Sequence, residues 1–97
     1  MNESARSTLQ QNNSLQGFEN DSVDAVLCNP PFHQQQTVGI QIAQQMFRDS
    51  ARVLKPGGTL YIIGNRHLGY HIELKKYFRK VQTLVSDKKF VLWAAGN

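Results

Sequence analysis

The sequence predicts an α/β fold in which parallel strands are joined by a helix and followed by a terminal antiparallel hairpin. Three observations carry this prediction. A short apolar run, Val23–Cys28, ends abruptly at Asn29-Pro30-Pro31-Phe32. A stretch with apolar residues at helical spacing, Thr37–Leu54, connects it to a second β-prone run, Thr59–Gly64. Two more β-prone runs, Val81–Ser86 and Phe90–Ala95, are separated only by Asp87-Lys88-Lys89, a connection that fits an antiparallel hairpin.

Taken in order, Met1–Asp21 is polar, with Leu9, Leu15 and Phe18 its main apolar side chains, and on composition alone it reads as a loose tail. Val23–Cys28 reads as a strand buried on both faces, as central parallel strands are. Gln34–Gln36 is a polar loop. In Thr37–Leu54 the residues Ile42, Met46/Phe47, Ser50/Ala51 and Leu54 recur along one helical face, which marks Met46 and Phe47 as core. Lys55-Pro56-Gly57-Gly58 is expected to stop that helix and turn the chain. Tyr61, Ile62 and Ile63 make Thr59–Gly64 a strand. It ends at Asn65-Arg66-His67, which should share a rim with the Asn29 loop. Tyr70–Arg79 reads as a short helix with Tyr70, Leu74 and Phe78 on one face. The last run, Phe90–Ala95, is apolar throughout and should therefore be central in the sheet.

At 97 residues the chain can hold one small domain. Its charge is uneven. Residues 1–54 carry three basic and five acidic side chains, whereas residues 55–97 carry eight basic and two acidic ones. The basic set (Lys55, Arg66, Lys75, Lys76, Arg79, Lys80, Lys88, Lys89) suits either a polyanion surface or a solvated face with a lysine-rich turn. The single cysteine, Cys28, excludes an internal disulfide and reads as a buried structural thiol. A nucleophilic pair of Cys28 with His33 has no supporting residues. His33, His67 and His71 lack the spacing signature of a metal site, so no metal is expected. No apolar run is long enough to cross a membrane. No basic-then-apolar leader stands at the N-terminus, so a cytoplasmic protein is expected.

The chemistry concentrates at Asn29–Phe32. Neither proline has an N–H, so the chain can neither extend the sheet ladder nor begin an ordinary helical turn there. The result is a stiff loop at a strand's C-terminal end, where open α/β sheets bind ligands. An exocyclic amine on a base is a poor nucleophile because its lone pair is delocalised into the ring. Two acceptors that each take one N–H would pull that nitrogen toward tetrahedral geometry, and the Asn29 side-chain oxygen and the Pro30 carbonyl can supply the pair. Phe32 could stack on the base, an interaction that contributes about 1–3 kcal/mol. Catalysis of this kind is positioning and dipole placement. The bland reading of the same residues is a rigid turn.

Asn-Pro-Pro-Phe after an apolar strand resembles the substrate motif of class I S-adenosylmethionine-dependent amino-methyltransferases. The longer run N-P-P-F-H-Q-Q, with A-R-V-L-K-P-G-G-T-L-Y-I-I-G-N-R-H-L-G-Y downstream, is similar to the ribosomal RNA guanine-N2 methyltransferases, in particular the branch acting on large-subunit rRNA. The resemblance covers roughly Ser7–Ala95. It implies a Rossmann-like sheet of which this chain is the C-terminal half. Residues 1–21 would include a remnant of the family's third strand, and residues 22–97 a partial methyltransferase domain. The implied strand order places Val23–Cys28 first, then Thr59–Gly64, then Phe90–Ala95, with Val81–Ser86 outermost.

The resemblance also implies S-adenosylmethionine as cofactor and rRNA as partner. Asn29, Pro30 and Phe32 would be catalytic, and Pro31, His33, Asn65 and Arg66 would bind substrate, with Arg66 on RNA phosphate. Asn12, Asn13 and Asn29 would lie at the cofactor. The glycine-rich cofactor loop of the family is absent: no G-x-G-x-x-G occurs in the chain. The isolated chain is therefore expected to be inactive. The alternatives are a DNA or protein-glutamine amino-methyltransferase portion, or a non-catalytic RNA-binding module. The open edge of Val23–Cys28 should either drive self-association or be covered by the N-terminal segment.

Overall fold

The computed structural model describes residues 7–10, 15, 17–29 and 37–97. Its elements are β1 (Ser7–Gln10), β2 (Val23–Cys28), α1 (Thr37–Val53), β3 (Leu54–Asn65), a 3-10 turn (Arg66–Leu68), α2 (Tyr70–Leu74), β4 (Lys80–Ser86) and β5 (Phe90–Gly96). The five strands form one sheet in the order β1-β2-β3-β5-β4. β1, β2 and β3 are parallel, and β5 runs antiparallel to both β3 and β4. The apolar last strand is thus internal, and the order expected for the four later strands is the one observed. The N-terminal segment covers the β2 edge: Ser7 pairs with Ala25 and Gln10 with Cys28.

Alternation along β5 and the second half of β3 decides which face carries the core. Val26, Cys28, Leu60, Ile62, Val91, Trp93 and Ala95 are buried on one face, against Met46, Phe47 and Val53 of α1 and Tyr70 and Leu74 of α2. On the other face Leu27, Tyr61 and Ile63 remain 43%, 36% and 41% exposed. Both helices therefore lie on the same side of the sheet, and Gln44 Nε2 of α1 donates to Glu73 Oε1 of α2 at 3.2 Å. Leu15, far from the α1 helix in sequence, is 2% exposed, so the polar N-terminal segment contributes to the core rather than trailing as a tail.

Two expected boundaries move. Lys55-Pro56-Gly57-Gly58 does not separate helix from strand. β3 begins at Leu54, and the four residues form an irregularity within it, because Val23 pairs with Leu54 and Ala25 already pairs with Thr59. Gly57 takes φ +86°, which only glycine adopts without strain. The second helix is shorter than Tyr70–Arg79. It ends at Leu74, after which Lys76 N and Tyr77 N donate to the carbonyls of Glu73 and Leu74 in tighter turns. Those turns bury Phe78 to 4% and release Arg79, whose N–H bonds Asn97 Oδ1 at 2.9 Å.

One long-range latch fixes the approach to β2. Asp21 N and Ser22 N donate to the carbonyls of Arg52 (3.0 Å) and Val53 (2.7 Å), satisfying the orphan end of α1. The Arg52 guanidinium in turn donates to the carbonyls of Leu15 and Phe18 and to Asn20 Oδ1, each at 2.8 Å.

Candidate substrate-amine site

Parallel pairing of β2 with β3 sets Cys28 beside Ile62, so the chain emerging at Asn29 and that emerging at Asn65 leave the sheet on the same rim. β5 enters at this rim, since Asn65 pairs with Phe90, and Arg66 N donates to the Lys89 carbonyl at 2.9 Å. The upper rim thus collects Asn29, Asn65, Arg66 and the β4–β5 turn. Lys80, Gly96 and Thr59 mark the lower rim through their mutual pairing.

Beneath the upper rim lies an aromatic and sulfur floor. Cys28 Sγ approaches Met46 Sδ at 3.8 Å. The Tyr70 ring packs edge-on to Phe47 (centroids 5.6 Å apart) and to Trp93 (6.2 Å). Burial pushes the Cys28 thiol up to about 12, and burial together with the neighbouring Cys28 pushes the Tyr70 hydroxyl up to about 12. Both groups are therefore neutral at physiological pH, and Cys28 is no nucleophile. Sequence reasoning had placed Tyr70 only on a helix face. Its position under the rim depends on Gly64, whose missing side chain gives the ring its room.

At the head of β2, Asn29 Oδ1 is buried and accepts no hydrogen bond from the described residues. Leaving such an acceptor unpaired costs about 1–3 kcal/mol, and native structures rarely tolerate it without a functional reason. The atom is an acceptor only, so it suits an N–H donor such as an amine. Asn65 is placed on the same rim, where its Oδ1 accepts from His67 N at 2.8 Å and caps the 3-10 turn. Arg66 is exposed, and its Nη2 donates to Ser86 Oγ at 2.6 Å and to the Asp87 carbonyl, clasping the β4–β5 turn. Pro30, Pro31, Phe32, His33, Asn12 and Asn13 lie outside the described residues.

The fold and this rim define a class: a Rossmann-like α/β sheet whose strand end presents an amide oxygen that is unpaired among the described residues. Comparison with known proteins makes the class specific. The chain belongs to the methyltransferase small domain family, which matches residues 1–94. Over 85 residues it is 56% identical to ribosomal RNA large subunit methyltransferase G of Pseudoalteromonas translucida, covering 88% of this chain and 22% of that protein. The protein of the same name from Serratia proteamaculans is 52% identical over 90 residues, covering 93% and 24%. Among solved structures, a T. thermophilus 16S rRNA methyltransferase in complex with AdoMet and guanosine matches with a TM-score of 0.64 at 17% identity, over 82% of this chain and 21% of that one. That likeness shows the fold. The chain spans less than a quarter of the length of these curated relatives.

Of the residues expected at the cofactor, Asn29 is described, and Asn12 and Asn13 lie outside the described residues. No glycine-rich phosphate or adenosine loop follows β1 or β2 in the sequence.

Proposed function

We propose that this chain is the substrate-side portion of an rRNA guanine-N2 methyltransferase, and that Asn29 receives the guanine amine. The observation that carries the reading is the buried, unpaired Oδ1 of Asn29 at the strand end. S-adenosylmethionine is the methyl source in this reading. The chain's own part is to hold the amine: Asn29 Oδ1 accepts one N–H, and the sequence assigns the other to the Pro30 carbonyl. Drawing both hydrogens to fixed acceptors turns the nitrogen lone pair out of conjugation and aims it, which is positioning and electrostatic preorganisation rather than base catalysis. The base reaches the rim only if it leaves its stack. Phe32 is proposed to stack on it, with Pro31, His33 and Asn65 lining the pocket and Arg66 held at its margin. Asn12 and Asn13 are proposed for the adenosine side. The high identity to two large-subunit rRNA methyltransferases supports rRNA as the substrate.

Nuclear magnetic resonance of the chain tests this reading. Guanosine is expected to shift the Asn29 side-chain amide resonances, and inosine, which lacks the 2-amino group, is not. Equal shifts with both nucleosides would refute an amine site. We further propose that the chain alone does not turn over. Labelled S-adenosylmethionine and guanine-containing RNA should give no transfer above background, and robust turnover would overturn that statement.

A further inference from the structure

The eight cations of the second half do not form one stripe. The fold divides them between the two ends of the sheet. Arg66, Lys88 and Lys89 stand at the upper rim, beside Asn29 and Asn65. Lys80 and Arg79 stand at the lower rim, where Arg79 N bonds Asn97. Lys75 and Lys76 join them, lining the same groove as Arg79 and Asn97. The six steps of β3 from Thr59 to Asn65 separate the rims by about 20 Å. A base held at Asn29 therefore brings its own flanking phosphates to the upper rim and not to the lower one.

The upper pair differs from the lower cations in how its backbone is held rather than in charge pairing, since Lys75 and Lys80 are likewise exposed and without an ion pair among the described residues. At the lower end Lys55 lies 3.8 Å from Asp24, and Lys76 lies 3.2 Å from Glu73. Lys88 and Lys89 are exposed, and neither ammonium forms an ion pair among the described residues. Their backbone is fixed from three sides. Asp87 Oδ1 accepts from Lys89 N at 2.9 Å and Phe90 N at 2.8 Å, and Asp87 N donates to the Phe90 carbonyl at 2.9 Å. From the adjoining strand end, Arg66 Nη2 clasps Ser86 Oγ and the Asp87 carbonyl. The one acidic side chain of the turn is thus engaged by backbone amides, and the turn presents two lysines on a braced base.

We infer that the tip of the β4–β5 hairpin, Lys88 and Lys89 braced by Arg66, is the contact surface for the phosphodiester backbone of the nucleic acid whose base enters the Asn29 site. The inference rests on the amine-site reading for its geometry. It assigns Arg66 a positioning role and gives the phosphate contact to the two lysines. Ammonium groups on flexible stems bind phosphate as point charges, which fixes the strand without reading its sequence.

Fluorescence anisotropy of a labelled, guanine-containing single-stranded RNA titrated with the full chain across a range of KCl concentrations tests it. For a single strand each neutralised phosphate contributes about 0.7 to the slope of log affinity against log salt. The double variant Lys88→Gln/Lys89→Gln should lower that slope by about 1.4 while leaving the thermal melt unchanged, since both side chains are exposed. Lys75→Gln/Lys80→Gln at the lower rim should change it by less than half as much. An unchanged slope in the upper variant, an equal or larger loss in the lower one, or no binding by the parent chain at low salt each overturns the inference. An abasic strand separates this outcome from failure of the amine site. If the hairpin tip is the phosphate contact but Asn29 receives no amine, abasic and guanine-containing strands bind alike and both depend on Lys88 and Lys89.

Discussion

Gly64 lies directly against the ring of Tyr70: a Cβ on Gly64 would stand 2.5 Å from both Cδ2 and Cε2 of the tyrosine. No real Cβ contact is so short, so the ring and a side chain at this position exclude one another. Gly64→Ala must displace Tyr70 from its place between Phe47 and Trp93. We expect a loss of about 1–3 kcal/mol, the usual cost of overpacking, read from the midpoint of urea denaturation. A variant as stable as the parent would show that the tyrosine has room to retreat.

Asn29→Leu removes a buried acceptor with no partner and substitutes a side chain of similar volume. Stability should hold or rise by about 1 kcal/mol, because the unpaired oxygen is a liability when no ligand is bound. Guanosine-dependent shifts of the backbone amides of Cys28 and of position 29, present in the parent chain, should disappear. Loss of stability together with retained guanosine response would contradict the role given to this atom.

Arg52→Ala breaks three hydrogen bonds from one guanidinium, to Leu15, Phe18 and Asn20. Bonds from a charged donor contribute more than neutral ones, and two of these acceptors are backbone carbonyls in partly buried positions. The expected loss is about 2–4 kcal/mol. Faster hydrogen exchange should be confined first to residues 17–22, where Asp21 N and Ser22 N are held by the end of α1. Uniformly faster exchange with no local signature would count against a latch.

Alkaline pH should destabilise the chain earlier than lysine titration requires. Cys28 ionises near 9.0 when unfolded and is pushed up to about 12 in the fold, and Tyr70 moves from 10.0 to about 12. In both cases the folded state holds its proton longer, so the stabilisation is complete below the unfolded value and fades as pH climbs toward 12. At pH 10.5 Cys28 alone should have given up about 2 kcal/mol relative to pH 8. Cys28→Ala should flatten this alkaline limb in a series of urea melts, and an unaltered limb would exclude the thiol as its origin.

The sheet was legible wherever local chemistry and strand environment agreed. β2 ends at Cys28, just ahead of the Asn29-Pro30-Pro31 run in which the sequence placed the end of the ladder. The unbroken apolar run Phe90–Ala95 announced a strand flanked on both sides, and it lies between β3 and β4. Asn29 was singled out as a candidate by residue type, and the structure leaves its Oδ1 without a partner among the described residues; its role as amine acceptor is the proposal made above. Other features had no local signal. The end of α2 is set by the burial of Phe78 and the hold of Asn97 on Arg79 N, both long-range effects. The Arg52 latch acts on carbonyls, which every residue carries, so nothing in Leu15 or Phe18 announces a guanidinium partner. The division of the lysines between two rims needs the strand directions, because residues 80 and 88 are near in sequence and at opposite ends of the sheet.

The internal position of β5 also dictates an order of assembly. Both of its ladder edges are occupied, by β3 on one side and β4 on the other. The β4–β5 pairing closes across a three-residue turn and belongs to the microsecond class of events, whereas β5 meets β3 only after some thirty residues of chain have been gathered in. The two last strands are therefore set to arrive as a preformed flap that swings onto β3, and mutations in the Asp87 turn should slow refolding more than they speed unfolding.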